Sequence, residues 1–184
     1  MENDTWEVIK QKETGLLEEK LNVFIGKLEK IRSNRINLEV VRSLIVNYQG
    51  EKKPIKTIAN LRISSNHELV VHTFEPELLS HVIKAILSDG QLKQERTIKD
   101  EVYFTLLPIT QEKKGKLIKE VELIAEKGKT ALNLVRQEIR DLVKKNKNFS
   151  QDQKRNYENQ IDKLKKDYED KLNAAKEKKI KELS

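Results

Sequence analysis

The sequence predicts an α+β protein: an elongated antiparallel three-helix bundle that carries an inserted, hinged β/α/β domain. Apolar residues recur at helical spacing in the first 35 residues and again after residue 110. Between these segments the apolar pattern changes to the alternation that is typical of strands. We therefore expect the bundle in residues 1–35 and 108–184 and the inserted domain in residues 36–107.

The first segment predicts one helix over residues 5–34. Its apolar residues follow a four-three repeat, which is the seam of a bundle or coiled coil: Leu17, Leu21, Phe24, Leu28 and Ile31. A single helix cannot bury such a seam alone, so it needs partner helices.

The partners are two long helices predicted over residues 110–147 and 151–183, joined by a short connection. Short connections favour antiparallel neighbours. At ~1.5 Å per residue the first of these helices is about 55 Å long. The bundle is therefore expected to be a rod.

The insert predicts four strands and one short helix. The strands cover residues 43–48, 57–63, 68–74 and 101–107, and the helix begins at Pro76. The chain passes between bundle and insert twice, at Ile36 and Asn37 and again at Leu106 and Leu107. Two short crossings predict a hinge at these four residues.

The net charge of +7 is confined to one part of the chain. Residues 1–35 hold seven basic and seven acidic side chains, and residues 36–107 hold nine of each. Residues 108–184 hold 21 basic and 14 acidic side chains. A localised excess of this kind favours a polyanionic partner.

Several classes of function find little support in the sequence. There is no cysteine, which excludes disulfides and thiolate metal sites and favours a reducing compartment. The first five residues do not resemble a signal peptide, and no apolar run approaches the ~18–20 residues that span a bilayer. The three histidines are too scattered to predict a metal site. We expect a cytoplasmic protein that is not an enzyme and needs no cofactor or metal.

The basic residues form two patches. The first includes Arg32 and Arg35, at the end of the first predicted helix. The second is a stripe along the helix 110–147, with steps of three and four that keep its members on one side: Lys129, Asn133, Arg136, Arg140, Lys144 and Lys147. Four of the eight arginines in the chain lie in these patches, and an arginine fork binds phosphate bidentately. The alternative interpretation, for Arg136 and Arg140 as for the rest of the stripe, is a solvated face.

The length of the rod constrains the partner. In an antiparallel bundle Arg136 is expected about 39 Å from the end that holds Arg35, at ~1.5 Å per residue. Two patches so far apart cannot bind one phosphate. Folded RNA fits an extended basic surface better than a nucleotide does.

Five segments resemble motifs of bacterial ribosome recycling factors. They occur in the order of that family: residues 30–35 (Lys-Ile-Arg-Ser-Asn-Arg), 46–50 (Val-Asn-Tyr-Gln-Gly), 58–61 (Ile-Ala-Asn-Leu), 106–112 (Leu-Leu-Pro-Ile-Thr-Gln-Glu) and 131–136 (Ala-Leu-Asn-Leu-Val-Arg). Each motif is weak alone, but the five together span nearly the whole chain.

The resemblance implies a non-catalytic, monomeric factor of translation. Such a factor binds the large ribosomal subunit across the tRNA sites after termination. With elongation factor G and its GTP hydrolysis it separates the subunits and releases mRNA and tRNA. Carried over by position, the RNA-binding residues are Arg32, Arg35, Lys129 and Arg136. The stripe adds Asn133 and Arg140 to the expected RNA-binding residues.

The chain departs from the family pattern at several positions. Asn34 replaces a usual glycine, Ile36 an alanine, and Lys129 and Asn133 stand where arginines are usual. The segment 91–105 lacks the usual motif. The main alternative function is a helical scaffold that binds partner proteins through the bundle. A third, an enzyme that uses His72 or His81, has little support.

Overall fold

The computed structural model describes residues 4–184 and confirms the α+β fold, with long helices and a separate β-containing unit. One compact unit comprises the chain up to Ile31 together with Lys116–Lys181. The other comprises Arg32–Gly115 with Glu182–Ser184. The chain thus passes between the units after Ile31, after Gly115 and again after Lys181, and the domain limits 35/36 and 107/108 expected from the sequence stay a prediction.

The regular elements alternate in the order helix, insert, helix, helix. The helices are α1 (Trp6–Glu29), α2 (Leu38–Ser43), α3 (Leu79–Ser88), α4 (Gln111–Lys145) and α5 (Gln151–Glu182). The strands are β1 (Ile45–Tyr48), β2 (Glu51–Pro54), β3 (Ala59–Ser65), β4 (Glu68–Thr73), β5 (Leu92–Ile98) and β6 (Glu101–Leu106).

Helix α1 is shorter than the predicted 5–34. It begins after Thr5, whose hydroxyl accepts a hydrogen bond from the backbone N–H of Val8. It ends at Glu29: the backbone N–H of Lys30 still bonds to the carbonyl of Gly26, but that of Ile31 bonds to the carbonyl of Leu28, only three residues back. Beyond it the Ser33 hydroxyl bonds to the backbone of Arg35, which competes with helical hydrogen bonding.

Helices α1, α4 and α5 form the three-helix bundle. Trp6 of α1 stacks on Tyr157 of α5 with ring centroids 4.2 Å apart, and both residues lie near the start of their helices. Near the other end, the Lys179 ammonium of α5 donates to the carbonyl of Glu29. Helices α1 and α5 are therefore parallel, and α4 runs against both.

Gly128 allows the three helices to approach closely at mid-bundle. A Cβ atom at this position would lie 2.7 Å from Cδ2 of Leu172 on α5 and 3.2 Å from Cγ of Phe24 on α1. The small residue in the α4 seam is thus a packing requirement.

The second unit is built around one four-stranded antiparallel sheet in the order β3-β4-β6-β5. A hairpin of β1 and β2 is separate from it. Helix α3 buries Val82 and Ile86 in the apolar core of this unit. Val71 and Phe104 of the central strands β4 and β6 complete the centre of the core.

Four elements of this unit differ from the sequence prediction. Helix α2 and strands β2 and β5 were not predicted, and the predicted strand 57–63 begins at Ala59, after a 3-10 turn at Ile55–Thr57. Strand β5 lies at the edge of the sheet, and only Leu92 of its seven residues is buried. An edge strand with exposed side chains has no apolar alternation, so the pattern could not reveal it.

Candidate nucleic-acid interface

The basic stripe of α4 lies along the side of this helix that faces α5. Asn133, Lys144 and Lys147 are exposed, whereas Lys129, Arg136 and Arg140 are half-buried. The stripe is therefore not a uniformly solvated face. Its two arginines reach across to α5, and its C-terminal end at Lys144 and Lys147 is open to solvent, with Lys147 beyond the last residue of α4.

Arg136 makes an ion pair through one corner of its guanidinium. Its Nε donates to Oδ1 of Asp162 on α5 at 2.6 Å. This hydrogen bond raises the pKa of Arg136. Since the side chain is 33% exposed and the contact uses only Nε, the two terminal nitrogens are available to an anion.

Arg140 is held more completely, one turn further along α4. Its Nη2 donates to Oε2 of Glu158 at 2.7 Å, and its Nη1 lies 3.5 Å from Oδ2 of Asp162. Its Nε is buried and, among the described residues, has no hydrogen-bond partner. Arg140 thus links two carboxylates of α5 and presents fewer free donors than Arg136.

Asp162 is the shared centre of this cluster and also affects Glu13 of α1. Glu13 is 1% exposed, and its Oε1 has no hydrogen-bond partner within the part of the chain that the structure describes. Burial and, less strongly, the negative charge of Asp162 raise the pKa of Glu13 to about 8, while Lys10 lowers it. Near neutral pH the Glu13 carboxyl is therefore largely protonated.

Sequence reasoning missed Glu13, Glu158 and Asp162. A signal for Glu13 exists, because it stands four residues before Leu17 and four after Ile9, within the buried seam of α1. No comparable signal marks the two α5 carboxylates. They meet the arginines because of the relative register of α4 and α5, which the spacing within one helix does not give.

The second unit holds the other predicted basic patch. Its two arginines, Arg32 and Arg35, differ in exposure and in their hydrogen bonds. Arg32 donates through Nη2 to the carbonyl of Leu107, and its Nε is buried. Burial lowers the pKa of Arg32, an effect that Asp89 partly opposes. Arg35 is exposed, and its backbone N–H is fixed by the Ser33 hydroxyl.

Asn34 replaces the usual glycine of this motif without a positive φ angle. Its backbone N–H donates to the carbonyl of Glu182 at 3.0 Å, and its side-chain amide donates to the carbonyl of Ser184 at 3.1 Å. The asparagine thus ties the segment to the C-terminal residues.

The four predicted hinge residues all lie in the second unit and are hydrogen-bonded there. Ile36 donates its N–H to the carbonyl of Asn66, and Asn37 caps α2. Leu106 and Leu107 donate to the carbonyls of His67 and Gln91, at 2.8 and 2.9 Å. The hinge at these residues stays a prediction.

The structure offers little to a catalytic interpretation. In residues 4–184 no three His, Cys, Asp or Glu side chains converge as a metal site. His72 bonds through Nδ1 to the carbonyl of Asp100, and His81 packs edge-on against Tyr48. None of the helices in this range is both long and apolar enough to cross a membrane.

Comparison with known proteins places these residues in context. The sequence profile described as ribosome recycling factor matches residues 24–183. The ribosome-recycling factor of Mycoplasmoides gallisepticum is 29% identical over 164 residues, covering 89% of each chain. That of a Geobacillus species is 26% identical over 170 residues, covering 91% of this chain and 92% of the relative.

Two solved structures share the fold. A solution structure of a ribosome recycling factor aligns with a TM-score of 0.74 at 22% identity, over 98% of this chain and 97% of that one. The Thermus thermophilus factor, placed with Escherichia coli elongation factor G on an E. coli post-termination complex, aligns with a TM-score of 0.67 at 27% identity. That alignment covers 98% of this chain and 99% of the other. The chain belongs to the ribosome recycling factor family.

Proposed function

We propose that the protein recycles ribosomes by binding the large subunit across the tRNA sites after termination. With elongation factor G and GTP hydrolysis by that partner, it separates the subunits and releases mRNA and tRNA. Family membership over nearly the whole chain carries this proposal. The related T. thermophilus factor, placed with elongation factor G on a post-termination complex, supports the choice of partner.

The proposed contacts to ribosomal RNA are the six residues predicted from the sequence. Arg35 and Asn133 are exposed, and Lys129 and Arg136 are half-exposed. Arg32 and Arg140 use more of their nitrogens inside the protein. The excess of positive charge in residues 108–184 gives this surface a salt-dependent attraction for phosphate.

We also propose that the protein acts in the cytoplasm as a monomer and performs no chemistry itself. The match to the ribosome recycling factor family over residues 24–183 supports this role. In this scheme the only covalent reaction is the hydrolysis of GTP by elongation factor G.

The proposed hinge is tested by hydrogen exchange. The N–H groups of Ile36 and Leu107 are bonded inside the second unit, so slow exchange at both places the flexible point elsewhere. Exchange on the timescale of exposed loops supports motion at the predicted residues.

The direct test of the function is a subunit-splitting assay. Post-termination ribosomes are mixed with the protein, elongation factor G and GTP, and splitting is followed by light scattering. We expect splitting only when all three are present. The control contains elongation factor G and GTP but not the protein. If the protein produces no more splitting than this control, the proposal is wrong.

One observation favours the scaffold alternative. Leu123 and Leu134 of α4 are large apolar side chains with exposures of 56% and 67%. Exposed apolar side chains on one helix are consistent with a protein partner. Sedimentation distinguishes the two functions, because a scaffold that self-associates through the bundle forms dimers at micromolar concentration, whereas the recycling factor stays monomeric.

A further inference from the structure

The carboxylates of α5 form an ordered chain of contacts with the arginines of α4. Glu158 contacts Arg140, Arg140 contacts Asp162, and Asp162 contacts Arg136. Each of these four residues contacts at least one of the others, and within residues 4–184 the two terminal nitrogens of Arg136 make no ion pair. The chain therefore fixes the direction in which the fork of Arg136 points.

We propose that Asp162 is a positioning residue that holds Arg136 ready to bind an RNA phosphate, and that Glu158 and Arg140 hold Asp162 in turn. This inference rests on the proposed function, since it assigns a role to residues behind the RNA surface. It also gives Arg140 a role different from that of Arg136, because Arg140 orients the carboxylate of Asp162.

The geometry at Arg136 is suited to this role. A free arginine side chain samples many rotamers and must lose that freedom to bind phosphate. The bond from Nε to Asp162 removes much of this freedom in advance while leaving the terminal nitrogens unoccupied. A guanidinium presented in this way can bind phosphate with two parallel hydrogen bonds.

The burial of the cluster strengthens the restraint. The side chains of Arg140 and Glu158 are only 23% and 20% exposed, so their ion pair is less weakened by water than a surface pair. Asp162 is 42% exposed and lies between the buried pair and the outer arginine. The pair of Arg140 and Glu158, which is more buried than Arg136, thus restrains Arg136 through Asp162.

Positioning and simple electrostatics predict opposite effects of Asp162→Asn. This change makes the protein one unit more positive, so a purely electrostatic attraction to RNA becomes stronger. If Asp162 positions Arg136, the same change weakens binding because the fork is no longer held. The sign of the effect therefore decides between the two.

The test measures affinity for isolated large subunits between 50 and about 200 mM salt, a range in which phosphate contacts have large effects. The variants are Asp162→Asn, Asp162→Glu and, as a control with the same change in charge, Asp170→Asn. Asp170 is an exposed residue of α5 eight positions further along. Thermal melting of each variant is measured in the same buffer.

We expect Asp162→Asn to bind about fivefold more weakly than the unchanged protein, with a salt dependence smaller by about one phosphate contact. Asp162→Glu keeps the carboxylate and restores most of the affinity. Asp170→Asn binds equally well or slightly more tightly. If Asp162→Asn binds as tightly as Asp170→Asn, with an unchanged salt dependence, the inference is wrong.

A second variant covers the case in which Asp162→Asn melts at a much lower temperature. Glu158→Gln removes the carboxylate that holds Arg140 and does not alter the side chains of Asp162 and Arg136 themselves. It is expected to weaken binding about twofold, in the same direction. Unchanged binding by Glu158→Gln would then overturn the inference.

Failure of the proposed function gives a different result. If the unchanged protein does not bind large subunits at all, the proposed function falls and this inference falls with it. If the unchanged protein binds and Arg136→Ala weakens it, while Asp162→Asn does not, only the positioning role is wrong.

Discussion

The two compact units of the molecule bury different kinds of side chain. The core of the β-containing unit is made of apolar side chains, of which Phe104 is the largest, and the buried polar side chains of this unit are the hydroxyl-bearing Ser33 and Thr73. The bundle buries Glu13, Asn146 and Lys179 among its leucines and isoleucines. Among the described residues the bundle thus buries ionisable side chains, whereas the β-containing unit buries only uncharged ones.

The difference follows from the shape of the elements. A sheet covered by a helix has an interior that is closed to water, so burying a charged group there is costly. Three helices enclose only a narrow seam, so a long side chain that starts in the seam can reach a neighbouring helix, as Lys179 reaches the carbonyl of Glu29. The same narrowness lets Asp162 of α5 contact Arg136 of α4.

The largest expected effect is a loss of packing in the β-containing unit. Phe104→Ala removes a fully buried ring and should lower the free energy of unfolding by about 4 kcal/mol. Chemical denaturation followed by circular dichroism measures it. Phe74 is 62% exposed, so Phe74→Ala is the matched control and should change stability little. Equal effects of the two changes would break the comparison.

The second prediction concerns the buried carboxyl of the bundle. The pKa of Glu13 is about 8 in the folded protein against an ordinary value of 4.5, so the unfolded state loses its proton first as the pH rises. The contribution of Glu13 to stability is therefore fully present below pH 4.5 and is lost as the pH rises towards 8. Glu13→Gln removes this fall and should stabilise the protein by roughly 2 to 3 kcal/mol at pH 7.5.

The measurement is the free energy of unfolding of both proteins at pH 5 and pH 7.5. The stabilisation by Glu13→Gln should be small at pH 5 and larger at pH 7.5. Glu19→Gln, on an exposed position of α1, controls for the change in net charge. A difference that does not vary with pH would show that Glu13 is ionised in the folded state.

The smallest effect is expected at the end of the bundle. Asn146 is fully buried, donates to the carbonyl of Asp4 at 2.9 Å, and accepts from the N–H of Asn148 at 2.9 Å. Asn146→Ala leaves both groups without this partner and should cost about 1 to 2 kcal/mol. Thermal melting measures this cost. Asn133→Ala, at an exposed position of α4, should change the melting temperature little.

Much of the fold could be predicted from the sequence because the helices are long and their spacing is regular. The limits of α4 and α5 lie within two residues of the predicted ones. The end of α1 and strand β5 could not be predicted in the same way. The first depends on backbone turns at Lys30, and the second is an edge strand with one buried residue.

The candidate site was predictable only as positions along one helix. The spacing placed Arg136 and Arg140 on the same side of α4. Their partners lie 18 to 26 residues away on α5, and the meeting depends on how two helices slide against each other. Spacing within a single helix contains no information about that register, so the role of Asp162 required the structure.

The central claim is that the α4 surface binds ribosomal RNA through Arg136. The measurement is the affinity of Arg136→Ala for isolated large subunits as a function of salt, with Arg155→Ala, an exposed arginine of α5, as the control. We predict that Arg136→Ala binds about tenfold more weakly than Arg155→Ala, with a salt dependence smaller by about one contact and unchanged melting. Equal affinity and equal salt dependence of the two variants would contradict the account.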